Sequence, residues 1–203
     1  MTIASTTSTS PATLAAALWP SRDAGRPALR TAALMLLGTV ALWLSAKIQV
    51  PLWPVPVTMQ TFVVLILGLA YGWRLGGATL LLYLAEGAVG LPVFAGTWSE
   101  GGGTHHLAGP TAGYLFGFVV AAAFVGWLAE RDWDRNPLTA AAAMVIGNLA
   151  IYALGIAWLG AQIGYGTAVG VGLVPFLVGD ALKVALGAAL LPLAWSALGR
   201  RRG

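Results

Sequence analysis

The chain has 203 residues, 58% of them hydrophobic and 9% charged, with a formal net charge of +4 and a mean hydropathy of +0.81. A soluble domain carries about 25% charged residues, so the composition excludes a soluble enzyme and points to an integral membrane protein in one compact unit. The basic residues stand at the ends of apolar runs, not in a patch with aromatics, which removes nucleic acid from the partners, and with no cysteine there is neither a disulfide framework nor thiol chemistry.

Residues 1–27 are rich in Ser, Thr, Ala and Pro and read as a flexible cytoplasmic tail, with Arg22 and Arg26 close to the first span. Residues 28–203 divide into six apolar spans at about 20 residues each. Span one is 29–48, and a proline-broken stretch, 49–57, follows it. Span two is 58–72, span three 75–91, span four 112–130, span five 138–159 and span six 171–198. Trp43, Trp73, Trp127 and Trp195 fall close to span ends, as in an interfacial aromatic belt. Span two is short for a bilayer crossing, and the prolines before it remove backbone donors. That stretch is expected to dip into the outer part of the bundle and mark a binding site; an external loop is the simpler alternative.

Lys and Arg orient the chain. Arg22, Arg26, Arg30, Arg74, Arg131, Arg135, Arg200, Arg201 and Arg202 all fall on one side of six spans. By the positive-inside rule both termini are cytoplasmic. The expected fold class is therefore all-α, a polytopic membrane protein with six transmembrane helices.

Within span six, Asp180 and Lys183 stand three residues apart and share a helix face. Each charge alone would cost about 2.5–3.5 kcal/mol at the middle of a membrane helix. They read as a polar site for a solute, against the alternative of an ion pair that only ties helices together. With the span beginning at Val171, Asp180 lies about 14 Å down. Thr58, Gln60, Tyr83, Glu86, Tyr114 and Asn148 would sit in the same outer half. Trp53, beside the proline kink, is a candidate lid. His105–His106 is a poor metal site, because adjacent residues lack ligand spacing and no third ligand is evident; neither metal nor cofactor is expected. No P-loop, His-Glu-x-x-His or Gly-x-Ser-x-Gly motif occurs, so the chain neither hydrolyses ATP itself nor offers a hydrolase nucleophile.

Five stretches carry a resemblance: Val55-Pro-Val-Thr-Met-Gln-Thr61, Gly90-Leu-Pro-Val-Phe-Ala-Gly96, Gly109-Pro-Thr-Ala-Gly-Tyr-Leu-Phe-Gly-Phe118, Ile151-Tyr-Ala-Leu-Gly-Ile-Ala-Trp158 and Pro175-Phe-Leu-Val-Gly-Asp-Ala-Leu-Lys183. In this order they resemble the BioY family, the biotin-binding S-components of energy-coupling-factor transporters. The resemblance implies a multi-pass protein of the cell inner membrane that binds biotin from outside and couples to a transmembrane T-component and two ATPase subunits. The family's acidic–basic pair and its glutamine match Asp180, Lys183 and Gln60 here. With biotin as the ligand, the chemistry of the side chains suggests Asp180 and Lys183 for the charged contacts, Gln60, Thr58, Tyr114 and Asn148 for the polar edges, and Trp53, Phe94 and Tyr83 for the apolar body. Ala28 and Ala32 would form the small-residue surface that meets the T-component. Many members carry an arginine in the loop before Gly-Pro-Thr, and residues 94–107 here hold none. A homo-oligomer is left open. A proton-coupled or facilitative vitamin carrier without an ATPase module is the alternative function.

Overall fold

The computed structural model describes residues 12–20, 27–96 and 102–200. Expectations placed on residues 1–11, Arg22, Arg26, Arg201 and Arg202 lie outside the described residues. The described residues are mostly helical, with one short two-stranded hairpin. In order the elements are α1 (Leu14–Leu18), α2 (Pro27–Lys47), β1 (Gln49–Val50), β2 (Val57–Thr58), α3 (Gln60–Tyr71), α4 (Trp73–Ala88), α5 (Ala112–Ala129), α6 (Pro137–Ile163), α7 (Tyr165–Gly172) and α8 (Leu177–Arg200), with 3-10 turns at Thr104–Leu107 and Val174–Phe176.

Four segments are long and apolar enough to cross a bilayer: Pro27–Lys47, Ala112–Ala129, Pro137–Ile163 and Tyr165–Leu198, the last counted through its break. Helices α3 and α4, with 12 and 16 residues, fall short of the usual 20 or so. They are joined with no loop, because Gly72 turns the chain at φ 82°, a conformation that a Cβ would penalise.

Helix α5 is the axis of the bundle and packs on α3, α4 and α6. Small residues set the spacing. A Cβ on Gly117 would lie 2.9 Å from Ile151 Cα, so only glycine lets α5 and α6 approach this closely. That is the usual solution in lipid, where packing contacts replace a hydrophobic driving force between helices. The outward faces of α2 and α8 carry exposed Leu36, Leu37, Val40, Leu182, Leu186 and Leu190, a surface suited to acyl chains.

The structure differs from the sequence expectation in two places. The connection expected over 160–170 is mostly helical: α6 runs on to Ile163, breaks at Gly164, and continues as α7. Span six is not one helix from Val171 either. Pro175 sits in the 3-10 turn Val174–Phe176, and α8 starts only at Leu177. Asp180 is therefore in the first turn of α8 and not deep within a continuous helix.

One end of the bundle gathers the described arginines. Arg74, Arg131 and Arg135 lie over Trp73, Trp127 and Trp195 at 5.0, 3.6 and 4.5 Å from the ring centroids. At the same end α1, within the stretch read as a tail, is held against the bundle. Arg30 donates to the carbonyls of Trp19 at 2.7 Å and Ala15 at 3.0 Å, the last turn of α1, while Leu14, Ala15 and Ala17 are buried. Thr13 caps its start by accepting from Ala16 N–H.

The α5–α6 turn adds a buried acid here. Asp134 is fully buried; Trp195 Nε1 donates to its Oδ2 at 2.6 Å, and its Oδ1 has no hydrogen-bond partner. Burial raises its carboxyl above the ordinary carboxylate range, against the lowering effects of the Trp195 hydrogen bond and the Arg135 charge. An acid that is harder to ionise when folded stabilises the fold below its unfolded pKa and loses that contribution as pH rises through the folded value. Asp134→Asn is accordingly expected to raise the melting temperature of the purified protein at about pH 7.5, with the gain shrinking towards about pH 4; thermal melts of both proteins across that range provide the check.

Candidate functional site

At the end of the bundle opposite the arginines lies a chamber of about 420 Å³, within the size range of small-molecule sites. Its walls come from separate parts of the chain. The proline-rich 51–56 stretch forms one side, closed at its base by the antiparallel pairs Gln49↔Thr58 and Val50↔Val57. The 94–96 stretch and the turn carrying His105 and His106 form another, and the starts of α3 and α5 with Ile151, Tyr152 and Phe176 complete it. The lining is mostly apolar, with Val55, Phe94, Leu115, Phe118 and Ile151 among its members. Trp53 stands at the rim, 87% exposed, next to a cis peptide bond to Pro54.

The inner end is polar and organised by the α8 pair. Asp180 and Lys183 are 5% and 7% exposed, and Lys183 Nζ lies 2.8 Å from Asp180 Oδ1. The ammonium also donates to Thr58 O and Thr61 Oγ1, both at 2.8 Å, so its three donors are satisfied. Thr61 Oγ1 donates to Asp180 Oδ1 at 3.1 Å, and the Tyr152 hydroxyl donates to Asp180 Oδ2. The helix break before Leu177 matters here: it puts Asp180 at a helix N-terminus, where a carboxylate is favoured by the dipole. Neither charged group lines the chamber; Thr58, Gln60, Thr61 and Tyr152 face it in front of them.

The other expected residues divide by what they touch. Phe94 and Trp53 line the chamber. Tyr114 lines it too, but its hydroxyl donates to Gly172 O at 2.9 Å, so it offers its ring and not a polar edge. Tyr83 is a correction. It is fully buried behind the wall, accepting from Gln60 Nε2 and donating to Val93 O, each at 2.6 Å. Its role is to fix the Gln60 side chain and the 92–94 stretch. Asn148 is a second correction: it is buried on α6 outside the chamber lining, with Oδ1 unpartnered. Thr61 is not singled out by the sequence, and Tyr152 reads there only as a packing residue with a satisfied hydroxyl. Thr61 closes the Val-Thr-Met-Gln-Thr run, and Tyr152 stands one helical turn from Asn148, spacings that carry no chemistry until α3, α6 and α8 meet.

The Phe94 wall is hung from α2. Trp43 Nε1 donates to Pro92 O at 3.1 Å and Lys47 Nζ to Phe94 O at 2.9 Å, while Gln49 exchanges two hydrogen bonds with Gly96. Gly87 makes room for the Phe94 ring, which a Cβ there would meet at 2.1 Å. The ring then packs edge-on against Tyr83 at 5.4 Å.

With this geometry in place, comparison with known proteins becomes informative. The BioY family model matches residues 12–200. The chain belongs to the BioY family. Among curated BioY proteins, the probable biotin transporter BioY of Pyrococcus horikoshii is 40% identical over 140 residues, covering 69% of this chain and 80% of its own. The biotin transporter BioY of Thermotoga maritima is 38% identical over 151 residues, covering 74% and 86%. The crystal structure of the S-component for biotin from an ECF-type ABC transporter superposes with a TM-score of 0.73 at 20% identity, covering 83% of this chain and 92% of that one. That likeness shows a shared fold.

Removing one member of a buried ion pair strands the other, at a cost of about 3–5 kcal/mol. Lys183→Met alone should therefore lower the melting temperature markedly, and Asp180→Asn added to it should restore much of the loss. A melt series over both single variants and the double variant measures this coupling.

Proposed function

We propose that this chain is the biotin-binding membrane subunit of an energy-coupling-factor transporter, taking up the vitamin from outside the cell. The observation that carries the reading is the chamber itself: a member of the BioY family has a cavity of ligand size, apolar along its sides, with amide and hydroxyl groups at its inner end. Biotin's ring urea needs donors and an acceptor, and Gln60, Thr58, Thr61 and Tyr152 supply them. Its fused rings and tail match the apolar walls, with Trp53 at the rim. The Asp180–Lys183 pair acts mainly through Thr61 and Tyr152, orienting their hydroxyls and polarising the inner end.

The same reading places the protein in the cell inner membrane with six crossings, α3 and α4 supplying the two short ones. The arginine-bearing end faces the cytoplasm with both termini, by the positive-inside rule, and the chamber opens outward. A chain with no phosphate-binding loop needs others to hydrolyse ATP, hence a T-component and two ATPase subunits. Ala28 and Ala32 are exposed on α2, where small side chains would let a T-component helix approach closely. The family's named members are transporters, in keeping with a non-enzymatic role.

Radiolabelled biotin titrated onto the purified protein, with other vitamins as competitors, tests the assignment. Saturable binding that unlabelled biotin displaces and unrelated vitamins do not is expected, with Tyr152→Phe weakening it about three- to tenfold through the lost hydrogen bond to the ring urea. An absence of saturable binding, or equal displacement by an unrelated vitamin, rejects it.

A further inference from the structure

We infer that His105 and His106 form the carboxylate-binding end of the chamber, so that the protein holds its anionic ligand more tightly when this imidazole pair carries positive charge. The inference rests on biotin as the chamber's ligand and adds where the acid end lies and how pH governs its grip.

Three observations lead there. First, the inner end has no net charge to offer, since Lys183 and Asp180 face each other at 2.8 Å and all three ammonium donors are engaged behind the wall. A carboxylate placed there would meet Asp180 as well as Lys183. Second, His105 and His106 are the only basic side chains among the described residues that line the chamber. They stand at its outer end, with His105 exposed and His106 half-buried. Third, the pair is held in place. The Thr104–Leu107 turn is seated by Gly103 N–H donating to Gly87 O at 2.7 Å, and the His106 ring packs edge-on against Phe94 at 5.7 Å. The two imidazoles lie 4.2 Å apart, so a single carboxylate can lie against both. The N-terminus of α5 begins at the same rim, and its dipole also favours negative charge.

Among the described residues, the other titratable groups on the surrounding elements do not reach the outer end of the chamber. Lys47, at the end of α2, donates to Phe94 O and is not part of the lining. On α4, Tyr83 is engaged with Gln60 and Val93, and Glu86 lies outside the lining. On α5, Tyr114 is engaged with Gly172, and on α6 and α8, Tyr152, Asp180 and Lys183 satisfy one another at the far end. Histidine is the side chain whose charge changes in the neutral range, and a ligand carboxylate stays ionised throughout it.

The test compares biotin with biotin methyl ester on the purified full-length protein between about pH 6 and about pH 8.5. Biotin affinity is expected to fall about tenfold across this window, the size of one hydrogen bond to a charged group, while the ester shows no matching fall. In the His105→Gln/His106→Gln double variant, biotin should bind at pH 6 no more tightly than wild type does at pH 8.5. The ester contrast needs no substitution, so it decides the matter even if that variant fails to fold. A pH-independent biotin affinity, or an equal fall for the ester, overturns the histidine assignment and leaves the biotin reading standing. Binding of neither compound at any pH overturns both.

Discussion

The contact on which the chamber end of the molecule depends is the ion pair between Asp180 and Lys183. Two opposite charges in a low-dielectric interior attract strongly, yet each has lost its water, and the pair persists only if every remaining donor and lone pair finds a partner. Here it does: Thr58, Thr61 and Tyr152 complete the set. The consequence is geometric. Meeting those requirements pins the start of α3, the middle of α6 and the start of α8 to one point, and the polar inner end of the chamber is the outer surface of that knot. A purely apolar junction could have packed the same helices without fixing the direction of any hydroxyl.

The breaks in the helices serve the same end. A continuous span six would have carried Asp180 into the middle of a helix, where its backbone dipole gives no help. The interruption at Pro175 moves the residue to a first turn and brings Phe176 into the chamber wall. The proline-rich stretch before α3 does the equivalent on the other side. Because its prolines cannot extend the two-residue ladder, the strand pairing stops and the chain bows outward over the cavity.

Much of this was legible beforehand, for identifiable reasons. Hydropathy marks helices well, so α2 and α5 fall within two residues of their expected bounds. Asp180 and Lys183 were conspicuous because charges are rare in such a chain. The start of α8 was misplaced because a proline near the top of an apolar run reads equally as a first-turn residue or as a break. Tyr83 and Asn148 were assigned to the ligand because depth can be read along a helix while facing cannot. Thr61 was not singled out and Tyr152 read as a packing residue, because a threonine or tyrosine in an apolar helix is unremarkable until its partner on another helix is known. The tertiary contact creates their role.

The suspension of the 92–96 stretch has a further effect. Trp43 and Lys47 grip main-chain oxygens and Gln49 grips both an oxygen and an N–H, so none of them depends on which side chains the stretch carries. The residues turned towards the cavity can therefore change while the strip stays moored in the same register. In this part of the wall, the choice of guest and the mooring of the wall are inherited separately, and selectivity can drift there without loosening the architecture.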